Sequence, residues 1–163
     1  MIFVTVGTHE QPFDRLIKYM DKWALDHDEE VIMQTGYTNA PKNCKSGKIF
    51  EQEEFLDLIS RARIVITHGG PCCFTKVLKY GKIPIVVPRR HKLGEHVDDH
   101  QVDIAHEVEK RYDNIIVVDD INELGKVIDD YDRLTENMSR TSIEFNNGKF
   151  CKALSGIVDD LFD

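Results

Sequence analysis

The chain has little cysteine, little proline and almost no tryptophan: four, five and one in 163 residues. Cys44, Cys72, Cys73 and Cys151 lack the paired spacing of a zinc site, and neighbours such as Cys72-Cys73 make a poor disulfide. A reduced, cytoplasmic chain is the expectation. A surplus of positive charge is also missing. The balance is 21 basic against 29 acidic residues, net −8, which disfavours a nucleic-acid partner. No apolar run reaches the roughly 18 residues of a membrane span. The start, MIFVTVG, has neither the basic leader nor the long apolar stretch of a secretory signal. Neither GxGxxG nor a P-loop pattern occurs, so ATP hydrolysis and NAD chemistry lose their usual sequence support.

What is present is alternation. Apolar runs at residues 1–6, 30–34, 64–66, 83–87 and 115–118 read as strands buried on both faces. Lys48-Ile49-Phe50 reads as a brief extra strand. Between them lie helical patterns: Phe13, Leu16, Ile17, Met20, Trp23 and Ala24; then 53–62; then a helix starting near Glu95 with Gln101, Ile104, Ala105 and Val108 on one stripe. Asp119-Asp120 can cap the next helix. Residues 131–146 are weakly patterned. Phe150, Leu154, Ile157, Val158 and Leu161 mark an amphipathic C-terminal helix at about 148–163. This order predicts one domain over 1–163, an α/β fold with a doubly wound parallel sheet.

The chemistry collects in Ile64–Gln101. A buried-type strand ends at Thr67-His68-Gly69-Gly70 and a helix follows at once, a junction that can aim backbone N–H groups and a helix dipole at an anion. A plain tight turn would use the same glycines. Gly7-Thr8-His9 is a second such junction. The next strand delivers Arg89-Arg90-His91-Lys92, which suits a small anion, although Arg89 and Arg90 can instead pair with nearby acids. In Glu95-His96-Val97-Asp98-Asp99-His100-Gln101, carboxylates and amides can meet hydroxyl groups, and Gln101 falls on the inward stripe. His96 and His100 could share a helix face and bind a metal with His91 or Asp99; the stripe favours the hydroxyl-binding alternative. Cys72-Cys73 reads as small residues packed near the turn more readily than as activated thiols.

Three motifs in order, VTVGTHEQPFDRLI, QTGYT and THGGP…GKIPIVVPRR…GEHVDDHQ, resemble the C-terminal, donor-binding domain of glycosyltransferase family 28. The resemblance covers about residues 1–120. It is nearest to single-domain donor-binding subunits of two-component bacterial capsule and exopolysaccharide glycosyltransferases, which are similar to the catalytic subunit of the eukaryotic dolichol-linked UDP-GlcNAc transferase. It implies half of a GT-B fold and inverting transfer from a UDP-sugar to a lipid-diphosphate-linked acceptor. It also implies a membrane-anchored, acceptor-binding partner that recruits the chain to the inner face of the membrane, and no metal or cofactor. Carried over by position, Gly7 and Thr8 lie by the diphosphate, and His68, Gly69, Gly70 and the helix behind them meet phosphate and nucleotide; Pro71, Arg89 and His96 are counted with them in the donor-binding set. Backbone near Phe50 reads uracil, and Glu95, Asp99, His100 and Gln101 contact the sugar. His9 and Glu10 are the candidates for the general base. Where many members carry a ribose-binding Glu, this chain reads Phe74-Thr75-Lys76-Val77, and Lys76 can contact phosphate. That departure and Cys72-Cys73 motivate an alternative, a non-catalytic regulatory or interaction subunit that retains the fold.

Overall fold

The computed structural model describes residues 1–140 and 147–162. Six strands, β1 (Ile2–Thr5), β2 (Val31–Gln34), β3 (Lys45–Gly47), β4 (Ile64–His68), β5 (Ile85–Val87) and β6 (Ile116–Val117), form one sheet in the order β3-β2-β1-β4-β5-β6. Every pairing is parallel. The helices are α1 (Asp14–Trp23), α2 (Gln52–Arg61), α3 (Pro71–Lys79), α4 (His100–Tyr112), α5 (Leu124–Asp129), α6 (Tyr131–Thr135) and α7 (Asn147–Phe162). The result is a single Rossmann-like α/β domain, as the strand–helix alternation predicts.

The period of two along β1 divides the core. Ile2, Val4 and Val6 pack with Leu16, Met20, Leu124 and Ile128 of α1 and α5, while Phe3 faces Phe55, Leu58 and Ile59 of α2. Helices therefore cover both faces, which is why the strands are apolar without alternation. On the second face Phe74 and Leu78 of α3 meet Ala105 of α4. The Tyr131 hydroxyl donates to the Ile83 carbonyl at 2.7 Å, tying α6 to the entry of β5. Tyr131→Phe should cost about 1 kcal/mol in urea denaturation, the net worth of one buried hydrogen bond.

Two boundaries differ from the sequence reading. The third strand is Lys45–Gly47, not Lys48–Phe50. Phe50 instead turns inward against Phe3, with ring centroids 6.2 Å apart, and rests on Gly47, where a Cβ would lie 2.5 Å from its ring. The fourth helix opens at His100, not near Glu95. A 3₁₀ turn at His91–Leu93 ends at Gly94 with φ +70°, and the Glu95 carboxylate is held in the loop by Arg15 and the Arg90 N–H. Asp120 does cap, accepting from Asn122 N–H at 3.0 Å. Within 131–146, Tyr131–Thr135 is helical, and 141–146 lies outside the described residues. α7 exposes Phe150, Leu154, Ile157 and Val158; the Leu161 side chain is not among those described. No described helix is long and apolar enough to cross a membrane.

Candidate functional site

The order of strands reverses between β1 and β4, and in a doubly wound sheet the crevice beyond that pair is where ligands bind. Thr5 lies opposite Thr67, so the turns that follow each strand, Gly7-Thr8-His9 and Gly69-Gly70, emerge side by side. Between them opens a cleft of about 500 Å³. Its walls are Gly7, Thr8 and His9 after β1; His68 at the end of β4; Cys72, Cys73 and Lys76 of α3; Ile49, Phe50, Gln52 and Phe55 before and on α2; and Gln34 and Gln101. Among the described residues no carboxylate lines it, so its chemistry suits an anion.

His68 is the centre of this arrangement. It is buried and boxed between two glycines: a Cβ at Gly7 would stand 2.5 Å from its ring, and one at Gly70 2.3 Å. Gly69 has a different duty, since a Cβ there would lie 2.9 Å from the Gln101 side chain, so its absence lets α4 start close to β4. Burial, and then the Arg89 charge, bring the His68 pKa down to about 4. The imidazole is thus neutral at pH 7, with one N–H donor and one acceptor. Because the unfolded chain binds that proton near 6.5 and the folded chain only near 4, stability falls as pH drops through that window. Between pH 7 and 4.5 the loss should be about 2 kcal/mol. His68→Asn should remove that part of the slope in urea titrations; an unchanged slope would show that His68 is not held neutral by the fold.

α3 begins with Pro71 at its first position and no side chain capping it, so its positive end faces the cleft beside the glycine turn. Burial pushes the Cys73 thiol up to about 11. It is a thiol at neutral pH, not an activated thiolate. Lys76 lies over the Phe55 ring at 5.1 Å and is the one lysine among the lining residues.

Gln34 is a residue the sequence reading used only as part of a motif. It is a buried amide ending an apolar strand, the same signal that drew attention to His68. Its Nε2 donates to Thr5 Oγ1 at 3.2 Å, and its Oε1 accepts from Phe50 N–H at 3.2 Å. Thr5 Oγ1 also accepts from Gly7 N–H at 3.3 Å. One side chain therefore links the loops on two sides of the cleft, and the Phe50 N–H already has a partner.

The remaining candidates distribute as follows. Gln101 is buried and reaches the cleft, its Oε1 accepting from Arg89 N–H at 3.4 Å. His9 is half-buried, its pKa lowered by burial and by the charges of His96 and Arg89 against the opposing Glu10. Glu10 is exposed beside it. Arg89 turns inward, 1% exposed, and Arg90 pairs with Asp119 at 2.6 Å. The two oxygens of Glu95 are occupied by a bidentate pair with Arg15, both contacts at 3.0 Å, and by Arg90 N–H. Asp99 is exposed and accepts from His91 N–H at 2.8 Å. His96 is buried 4.6 Å from the His9 ring, and its Nδ1 lies 3.2 Å from Asp98 Oδ1, which also meets exposed His100. The late start of α4 means that His96 and His100 share no helix face. The third group beside them is Asp98, not His91 or Asp99; its carboxylate meets the Nδ1 atom of each imidazole, and the ligand atoms of the three lie within 4.8 Å of one another, a set that could hold a metal ion.

The fold recurs in solved structures. MurG of Acinetobacter baumannii matches with TM-score 0.57 and 17% identity over 86% of this chain and 45% of that one. The glycosyltransferase SnogD from Streptomyces nogalater matches with TM-score 0.51 and 17% identity over 72% and 31%. The glycotransferase of kitacinnamycin matches with TM-score 0.53 and 17% identity over 83% and 37%. The chain thus spans less than half the length of each and corresponds to the C-terminal half of a GT-B fold. No curated protein matches it. The family model for the glycosyltransferase family 28 C-terminal domain matches residues 1–153. A sequence match over nearly the whole chain carries more than a shared architecture, and on it the chain belongs to glycosyltransferase family 28.

Proposed function

We propose that the chain is the donor-binding, catalytic subunit of a two-component glycosyltransferase. It takes a UDP-sugar and passes the sugar, with inversion, to a lipid-diphosphate-linked acceptor in capsule or exopolysaccharide synthesis. The observation that carries this reading is the cleft itself: the Gly7 turn and the uncapped start of α3 converge on a space with His68 and Lys76 that, among the described residues, no carboxylate lines. Phe50 and Phe55 offer apolar faces to a base, and Gln101 offers an amide to sugar hydroxyls. Among donor sugars, galactose, N-acetylglucosamine and glucuronic acid all fit this chemistry.

In the proposed step the acceptor oxygen attacks the anomeric carbon and its proton passes to a base. The bond from that carbon to the diphosphate breaks, and UDP leaves with the electron pair. His9 suits the base, since its lowered pKa leaves it neutral and able to accept a proton at pH 7; Glu10 is the other candidate. The start of α3, Lys76 and the buried Arg89 charge offset the growing negative charge on UDP, so the step needs no metal.

In this reading a membrane-anchored, acceptor-binding partner recruits this cytoplasmic chain to the inner face of the membrane. Exposed Ile49 on the cleft wall, Leu93 and Val97 on the β5–α4 loop, and the apolar stripe of α7 are surfaces such a partner would cover. Calorimetry should find UDP binding one to one. Gln101→Ala should weaken a UDP-sugar about tenfold, the worth of one well-placed hydrogen bond. Failure of every uridine nucleotide to bind would end this reading. Lys76 at the nucleotide wall favours a second reading, a non-catalytic interaction subunit. Full sugar transfer by the co-purified complex after His9, Glu10 and Gln101 are all changed to Ala would support it.

A further inference from the structure

Arg89 is the largest fully buried side chain among the described residues, and no carboxylate takes its guanidinium. Its Nη2 donates to the Val6 carbonyl at 2.8 Å, and its Nη1 donates to Gln11 O at 2.8 Å and Glu95 O at 2.9 Å. The carbon at the centre of the group lies 4.8 Å over the Phe13 ring. Its own backbone N–H donates to Gln101. Val6 and Gln11 bracket the segment Gly7–Glu10, which forms one lip of the cleft. Glu95 and Gln101 bracket the segment that carries His96, which meets the His9 ring at 4.6 Å, and His100; Gln101 itself lines the cleft. Glu95, the carboxylate whose charge acts on Arg89, is taken by Arg15. Behind the cleft floor two arginines thus share one acid, and a net positive charge remains.

We propose that Arg89 is a positioning residue. It staples the β1–α1 loop to the β5–α4 loop through three backbone carbonyls, and its uncompensated charge makes the closed cleft attractive to a diphosphate. The second half of this inference rests on the donor-binding reading above; the staple does not. Only arginine suits the task. A planar guanidinium presents several donors in fixed directions, whereas lysine carries the charge on one short-range group. Buried carbonyl groups need donors, so removing the fork leaves those three oxygens to be satisfied by water or by movement of the loops. Burial lowers the Arg89 pKa to about 10, against the opposing charge of Glu95, so the group stays charged at neutral pH.

The test uses the full chain with Arg89→Lys and Arg89→Gln. Hydrogen exchange should quicken in residues 7–11 and 95–101 of both variants while β1 and β4 keep their protection. The His9 imidazole, followed by NMR titration, should rise in pKa in Arg89→Gln and stay near the native value in Arg89→Lys. The other charges facing His9 are His96, Glu10 and His68, and all are present in both variants. UDP affinity should fall about tenfold in Arg89→Gln, as for loss of one charge-assisted interaction. Unchanged exchange in both loops together with an unmoved His9 would overturn the proposal. So would exchange that quickens evenly over the whole sheet, which marks a merely structural residue. If Arg89→Gln does not fold, Arg89→Lys decides by the same two exchange outcomes. If the native chain binds no uridine nucleotide, the donor-binding reading fails, and the staple is still judged by exchange and by His9.

Discussion

Gly7→Ala should lower UDP affinity by about a hundredfold, because a displacement of order 1 Å in a binding group can cost that much. Two costs coincide at this position. Gly7 has φ +74°, a conformation that charges an L-residue roughly 1–2 kcal/mol. Its new Cβ would also stand 2.5 Å from His68 Cε1 and 2.9 Å from Nε2. The ring has little room to retreat, because Gly70 is also packed against it, with a would-be Cβ 2.3 Å from Nε2. Either the ring leaves its pocket or the turn carrying Thr8 and His9 moves. Overpacking of this kind costs about 1–3 kcal/mol, so urea denaturation should show a total loss of about 2–5 kcal/mol. Gly81→Ala separates the terms. Gly81 also has positive φ, +66°, but nothing lies within 4 Å of its Cβ position. It should show only the backbone cost and unchanged UDP binding. Native UDP affinity in Gly7→Ala, or an equal loss in Gly81→Ala, would show that contact with His68 does not govern the turn.

The second large effect is at Gln34. Gln34→Leu keeps the volume of a buried side chain but removes two hydrogen bonds, to Thr5 Oγ1 and from Phe50 N–H. Each polar group left without its partner costs roughly 1–3 kcal/mol, so the loss of stability should be about 2–4 kcal/mol. Affinity for UDP should also fall, since the β1–α1 and β3–α2 loops lose the side chain that links them. Thr5→Val breaks the same chain of bonds one step earlier and frees Gly7 N–H as well. The two substitutions should therefore be non-additive by about 1 kcal/mol in a double-mutant cycle. Strict additivity would mean that Gln34 and Thr5 act independently and that the linkage between the loops carries no energy.

These expectations show where the local signals were strong. Runs such as Ile64-Val65-Ile66 have no polar face, so only a sheet covered on both sides can bury them, and the alternation with helices then points to parallel pairing. The polar residues that interrupt this pattern, His68 and Gln101, are both brought to the cleft. Signals were weak where two neighbours compete for one residue. Phe50 has strand propensity, yet packing on Phe3 and Gly47 draws it out of the third strand. Glu95 has the look of a helix start, yet Arg15, far away in the chain, fixes it in a loop. Arg89 and Glu95 would each suit direct contact with a ligand, but the structure spends the N–H donors of Arg89 on carbonyls, leaving its charge uncompensated, and the carboxylate of Glu95 on Arg15.

The sequence by itself determined the class of fold, the glycine turns after the first and fourth strands, and the family resemblance. Each of these depends on residues close together in the chain, where apolar period, glycine and helix start can be read directly. Tertiary structure alone decided which side chains face the cleft. Gly7 and Gly70 enclose His68 only because Thr5 and Thr67 are in register on adjacent strands. Gln34 joins the second strand to a loop, and Arg89 joins segments some eighty residues apart, Val6 and Gln11 on one side and Glu95 on the other. Such partners are chosen by distance in space, through buried groups that must find a donor or acceptor, and no local pattern records that choice.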